Sequence, residues 1–149
     1  MAVIIFKPTE KCNSNCVYCD VVANKKPKTM SLDLLEVVVQ KINEYLLENS
    51  NETVHLTWHG GEPLMLGMEY FKKAVYFFDK YCATTKDRIE HGIQSNLTLL
   101  KQEHIDVLKQ LNINSFGSSY EPIPHIRGGG ENIDSEEYNR KFFNAVMER

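Results

Sequence analysis

Cys12, Cys16 and Cys19 place three soft sulfur ligands within eight residues, in the order Cys-x3-Cys-x2-Cys, with Tyr18 just before the last of them. Thiolates suit soft metal centres, and a cubane [4Fe-4S] cluster normally takes four cysteines, one for each iron. Three cysteines leave one iron open. An open iron on a redox-active cluster can bind a substrate and pass it an electron, so the count points to chemistry rather than to electron storage. The competing reading is a zinc site or a loose redox loop, because cysteine clusters also hold zinc. Zinc normally takes a fourth protein ligand. Cys82 lies far along the chain in a stretch with helical spacing, and His55 or His59 would reach only if the fold brought them round.

The elements that must position these cysteines follow from the spacing of apolar residues. Residues 3–6 read as a buried strand, stopped by Pro8, that leads straight into the cysteine loop. After Pro27, Ser31 can cap a helix with Leu32, Leu35, Val39, Ile42 and Leu46 on one stripe. Residues 49–51 break it, and the alternation over 53–58 predicts a second strand, ended by Gly60 and Gly61. From about Leu66, the positions of Phe71, Ala74, Val75 and Phe78 predict a helix ending near Cys82, with Lys80 in its last turn. Phe71, Tyr76, Phe77 and Phe78 read as its core face. Residues 89–94 are a third strand, Ile105, Leu108 and Leu111 mark a third helix stopped by Asn112, and 113–118 a fourth strand. Beyond the flexible run Gly128, Gly129 and Gly130, Ser135 can cap a last helix carrying Tyr138, Phe142, Phe143 and Val146. Strand and helix alternate four times, the pattern of an α/β fold with a parallel sheet. A closed eightfold barrel takes ~250 residues, more than this chain has.

The cysteine spacing with its preceding aromatic resembles the signature of the radical S-adenosylmethionine (SAM) enzymes. That resemblance implies that Cys12, Cys16 and Cys19 hold a [4Fe-4S] cluster whose open iron chelates S-adenosyl-L-methionine, with Tyr18 near the adenine. It further implies an incomplete parallel (βα) barrel, residues 1–149 supplying about four of six strand–helix units, strand 1 to helix 4, as the N-terminal part of the core domain. The reaction implied is reductive cleavage of the cofactor to methionine and a 5′-deoxyadenosyl radical, which takes a hydrogen atom from the substrate.

Ligand sites of α/β sheets gather at the carboxyl ends of the strands, and the remaining motifs fall there. Trp58-His59-Gly60-Gly61-Glu62-Pro63-Leu64 resembles the family's glycine-glycine-glutamate motif, which receives the methionine ammonium. Glycines admit a ligand close to the backbone and a carboxylate suits a cationic amine, although a turn is the commoner reason for a glycine pair. With Thr57 in front, the string is especially similar to the SPASM-type, anaerobic sulfatase-maturase-like branch, which implies a peptide or protein substrate. Gln94, Ser95 and Asn96 resemble a glutamine-threonine-asparagine-glycine segment, from which Ser95 and Leu97 depart; the resemblance implies polar groups pointing into the site, with Asn96 among the cofactor-binding residues, and a polar helix-entry turn explains them equally well. Ser118 or Ser119 is placed by the resemblance at the ribose or carboxylate, and Arg127 can pair with that carboxylate in a two-pronged contact. His59 reads as structural, His91, His104 and His125 show no pairing by spacing, and Cys82 reads as a small buried hydrophobe.

The 149 residues, 42% of them hydrophobic, suffice for one domain with its own core. A net charge of −3 gives no footprint for nucleic acid, and the basic trio Lys25, Lys26 and Lys28 reads as a solvated loop. No apolar run approaches the ~20 residues of a membrane span, and 3–6 is too short for the core of a secretory signal. The expectation is a cytoplasmic chain with reduced cysteines, and therefore no use for the glycosylation triplets at Asn51 and Asn96. Expected partners are the peptide or protein substrate and an external electron donor such as flavodoxin or ferredoxin. The alternative is a truncated, non-catalytic iron–sulfur or peptide-binding module that needs a partner chain for the absent barrel units.

Overall fold

Four strands, β1 (Ala2–Thr9), β2 (Val54–Gly60), β3 (Ile89–Gln94) and β4 (Ile113–Gly117), lie side by side in chain order. Every neighbouring pair is parallel. Between and after them come α1 (Leu32–Glu48), α2 (Met68–Tyr81), α3 (Gln102–Gln110) and α4 (Ser135–Met147). The structure is a computed structural model that describes residues 1–20, 26–123, 126–127 and 135–147. Lys25, His125, the Gly128 to Gly130 run and the capping side chain of Ser135 lie outside the described residues. The fold is α/β, and the sheet is an open arc rather than a closed barrel.

Helices cover one face of the sheet. β2 sends Val54, Leu56 and Trp58 into the core, where Phe6 and Phe71 meet the Trp58 ring at 5.0 and 5.4 Å. On the other face of the same pleat, Val3 and Ile5 of β1 are more than half exposed. α1 opens on Ser31, whose hydroxyl accepts from the Leu34 N–H, and buries Leu35, Val39, Ile42 and Leu46. Leu32, expected on that stripe, sits in the first turn and stays exposed. α2 buries Tyr70, Phe71, Ala74, Phe77 and Phe78 and ends at Cys82, as expected. Val75 is only half-buried, and Tyr76 turns outward, with Lys73 and Lys80 near its ring. Asn112 follows the Leu111 cap of α3 with φ 54°, the left-handed conformation asparagine tolerates after a helix.

The first strand is longer than its apolar run. Proline cannot donate to a ladder, which predicted a stop at Pro8. β1 instead continues to Thr9, because it is an edge strand with β2 as its one strand partner, its register shifts between Phe6 and Thr9, around the proline, and its outer side there pairs with residues 28–30, through Met30 N–H to Pro8 O and a Thr9–Thr29 bridge. The shift carries the chain into the cysteine loop with Thr9 opposite Gly60. No helix among the described residues is long and apolar enough to cross a membrane.

Candidate functional site

The carboxyl ends of β1, β2 and β3 converge on one cavity of about 200 Å³. Cys12, Cys16 and Cys19 share its wall with Tyr18, His59, Gly60, Gly61, Glu62, Gln94, Asn96, Ser119 and Arg127. Apart from His59, which reads as structural, the sequence suggests these residues from separate segments. All three thiols are free and partly exposed, whereas Cys82 is free but fully buried. The Cys82 Sγ lies 3.9 Å from the Val39 carbonyl oxygen, and burial pushes that thiol's pKa up, as suits a small core residue.

The glycine pair has a local cause. A side chain on Gly60 would overlap the Thr9 carbonyl oxygen, and one on Gly61 that of Lys11. Gly60 also has φ 123°, a conformation that disfavours other residues. Close approach lets the Gly61 N–H donate to Thr9 O at 2.8 Å and the Glu62 N–H to Lys11 O at 2.7 Å. The backbone that these glycines admit is therefore the lead-in to the cysteine loop. His59 Nδ1 accepts from the Gly60 N–H at 2.7 Å, in keeping with a structural role.

Glu62 is 1% exposed. Its Oε1 accepts from the Leu64 N–H at 3.0 Å and the Ser95 hydroxyl at 2.8 Å, and its Oε2 from the Asn96 N–H at 2.8 Å. Burial raises its pKa, while those three donors and the charge of Arg127 oppose the rise. Asn96 is tied to the loop between the first two cysteines. Its Nδ2 donates to Asn13 Oδ1 at 2.9 Å and Ser14 Oγ at 3.1 Å. Its Oδ1 accepts from the N–H and the hydroxyl of Thr98, at 3.0 and 2.7 Å. Within the loop, Ser14 N–H points at Cys12 Sγ at 3.4 Å; burial raises the pKa of that thiol, and this contact pulls it down.

Arg127 reaches the site from the segment after β4. Its Nε donates to the Tyr138 hydroxyl at 2.6 Å and its Nη1 to the Tyr18 hydroxyl at 3.1 Å, joining α4 to the cysteine loop. The Val17 N–H donates to Ile126 O at 3.1 Å beside it. Ser119 lines the cavity, and Ser118 keeps a buried Oγ that finds no partner among the described residues. A larger, mostly apolar cavity of about 510 Å³ lies elsewhere, lined by residues of α3, β4 and α4, and includes none of the cysteines.

The donor set fits a cluster better than a lone ion. Three free, partly exposed thiols line one cavity, and a cube takes each thiolate at a separate iron. The Ser118 hydroxyl, without a partner among the described residues, is buried at the end of β4, and Ser118 is not among the residues that line the cavity. Two features escaped the sequence reading: the Arg127–Tyr18–Tyr138 junction, and His91, whose Nδ1 accepts from Trp58 Nε1 at 3.3 Å in the core. Neither leaves a local signal, because the partners lie far apart in the chain.

Comparison with known proteins bears on the same strand ends. A serine-type anaerobic sulfatase-maturating enzyme of Bacteroides thetaiotaomicron is 37% identical over 107 residues, 68% of this chain and 25% of that protein. An uncharacterized protein of Synechocystis is 36% identical over 110 residues, 72% of this chain and 27% of its own. The chain thus spans about a quarter of these relatives' length. The solved structure of native anSMEcpe with bound AdoMet and Kp18Cys peptide shares the fold, with a TM-score of 0.74 at 22% identity over 99% of this chain and 40% of that one. The family model described as the Radical SAM superfamily matches residues 6–122. A match that begins in β1 and runs past β4 takes in all the strand ends that frame the cavity, and the chain belongs to the radical SAM superfamily.

Proposed function

We propose that this chain forms the N-terminal part of a radical SAM core, residues 1–149, and works in reductive cleavage of S-adenosyl-L-methionine to modify a peptide or protein. The observation that carries the reading is the meeting of Cys12, Cys16 and Cys19 with Gly60, Gly61 and Arg127 around one cavity at the strand ends. The three thiolates would hold a [4Fe-4S] cluster. Such a cluster would supply the low-potential electron that reductive cleavage of S-adenosyl-L-methionine requires.

The chain's own groups bind and orient. Backbone at Gly60 and Gly61 lines the cavity without side chains, and the Arg127 guanidinium gives a positive charge for a carboxylate while its Nε and Nη1 are held by tyrosines. Ser118 and Ser119 offer hydroxyls at the end of β4. Tyr18, more than half exposed, flanks the entrance. A peptide substrate agrees with the sulfatase-maturating relative, and a small electron carrier such as flavodoxin or ferredoxin would supply the electron. Reduced thiols and a low-potential donor favour the cytoplasm.

A second reading is favoured by the open sheet. The outer edge of β4 has no neighbour among the described residues, and Val3 and Ile5 face outward on the uncovered side of β1. Further strands, from a partner chain if not from this polypeptide, would then complete the site, and these residues alone would bind the cluster without turnover. Anaerobic reconstitution followed by dithionite and S-adenosyl-L-methionine tests both. 5′-Deoxyadenosine from wild-type protein, lost in Cys12→Ala, supports catalysis. A loaded cluster with no product supports the partner-dependent module. Iron uptake unaffected by Cys12→Ala, Cys16→Ala and Cys19→Ala refutes both.

A further inference from the structure

Asn96 sits where the resemblance puts a cofactor ligand, yet its side chain has nothing left to offer one. A carboxamide has two N–H donors and an oxygen with two acceptor positions. Both donors go to the cysteine loop, at Asn13 Oδ1 and Ser14 Oγ, and both acceptor positions go to Thr98. The Thr98 N–H fixes which end of the amide is oxygen, since only an acceptor can face it. Thr98 then closes the circuit, because its hydroxyl also accepts from Asn13 Nδ2 at 2.9 Å. On the other side, the Asn96 N–H is anchored on Glu62, a buried carboxylate fixed by Ser95 and Leu64. The residue is 6% exposed, so water cannot readily replace these partners.

We propose that Asn96 is a positioning residue that, through its bonds to Asn13 and Ser14 and its anchor on Glu62, sets the height of the Cys12–Cys16 loop over the ends of β2 and β3. This rests on the reading of the cysteines as cluster ligands. A loop of three residues between two ligands has little secondary structure of its own, and the carboxamide supplies the missing cross-link to the sheet. A cluster ligated by a fixed loop loses iron slowly, because each thiolate that lets go is returned to the same place.

Thr98→Val tests this from the half-buried rim, where loss of a hydroxyl does not threaten folding, and Asn96→Ala removes the hub itself. In reconstituted protein, Thr98→Val is expected to lose iron to a chelator about tenfold faster, the size of its two lost hydrogen bonds at about 1.4 kcal/mol per decade, and Asn96→Ala, which gives up four, at least about tenfold faster. Thr98→Ser keeps the hydroxyl and is expected to restore the wild-type rate. The affinity of the loaded protein for S-adenosyl-L-methionine, read from the change in its EPR spectrum, is expected to stay within about twofold of wild type. A tenfold loss of that affinity in Asn96→Ala with iron loss at the wild-type rate would make Asn96 a ligand and overturn the proposal. Wild-type rates in both variants would overturn it equally. Metal-free protein gives an independent answer: amide exchange at Ser14 is expected to quicken about tenfold in Thr98→Val, and an unchanged rate refutes the cross-link even if no cluster forms. Failure of wild-type protein to take up iron would instead refute the parent reading.

Discussion

Gly61→Ala should detach the cysteine loop from the sheet, for a reason unrelated to glycine flexibility. A Cβ at this position would overlap the Lys11 carbonyl oxygen, and it would sit 2.6 Å from the Lys11 carbonyl carbon and 2.7 Å from Glu10 O. All three obstacles are backbone, so no side chain can swing aside. The end of β2 must withdraw, which breaks the Gly61 N–H bond to Thr9 O and the Glu62 N–H bond to Lys11 O. Two backbone pairs left unsatisfied at this part-buried junction cost about 1–3 kcal/mol each, so a loss of about 2–6 kcal/mol is expected. Gly67→Ala provides the contrast. Gly67 has φ 81° with open space around it, so its substitution costs only backbone strain, about 1–2 kcal/mol. Urea denaturation of the metal-free proteins measures both stabilities, and the alkylation rate of Cys12 reports the loop. Cys12 should react faster in Gly61→Ala and at the wild-type rate in Gly67→Ala. Wild-type stability and wild-type Cys12 reactivity in Gly61→Ala would refute the close-approach argument.

Further outcomes follow from the same geometry. Burial lowers the pKa of His91 to about 4 from an unfolded value of about 6.5. The unfolded chain therefore binds a proton that the folded chain refuses, so the stability due to neutral His91 is complete above about pH 6.5 and declines as pH falls toward 4. Between pH 6.5 and 5 the decline should be about 2 kcal/mol in urea titrations, and a His91→Gln variant should lack most of that slope. Leu97 adopts φ 63°, and its side chain packs against Tyr138 and Phe142. Leu97→Gly relieves about 1 kcal/mol of strain but gives up about 2 kcal/mol of burial and adds unfolded-chain entropy, so net destabilisation of about 1–2 kcal/mol is expected; a stabilised variant would contradict the balance. Cys82→Ala should leave iron content unchanged at a stability cost of about 1 kcal/mol, whereas alanine at Cys12, Cys16 or Cys19 should lower the iron content. Arg127→Met cuts the junction between Tyr18 and Tyr138, and amide exchange in α4 should accelerate while the midpoint of global unfolding moves little.

What the sequence made legible was short-range and periodic. The stripe Leu35, Val39, Ile42 and Leu46 and the alternation Val54, Leu56, Trp58 bury as their spacing predicts, because helix and strand repeats depend on neighbours within a turn or two. Pro8 misled for the same reason: its effect on a ladder depends on whether the strand is central or at an edge, which the local sequence does not record. The candidate site was legible as a set of residues, since each motif lies at a strand end and parallel strands bring their ends together. The division of labour within it was not. Asn96-Leu97-Thr98 reads as a glycosylation triplet or a turn, and only the fold shows that the carboxamide is spent on a loop more than eighty residues earlier.

That distinction bears on how such sites are read. The glycine pair and the acid after it were matched to a cofactor's amine, and the geometry assigns them a prior task. Gly60 and Gly61 admit the Thr9–Lys11 backbone, and Glu62 collects the donors of Leu64, Ser95 and Asn96. A residue type preserved in a motif can therefore answer to the loop that holds the ligands as much as to the ligand itself. Glu62 separates the two demands. Glu62→Gln keeps the shape and replaces one acceptor oxygen with an NH2 group, which must face a donor: Asn96 N–H on one side, or Leu64 N–H and the Ser95 hydroxyl on the other. If holding the loop is its main task, this variant should lose iron faster and show faster Ser14 amide exchange even with no S-adenosyl-L-methionine present. If the carboxylate serves the cofactor's ammonium instead, both readings stay at wild-type values and only cofactor affinity falls.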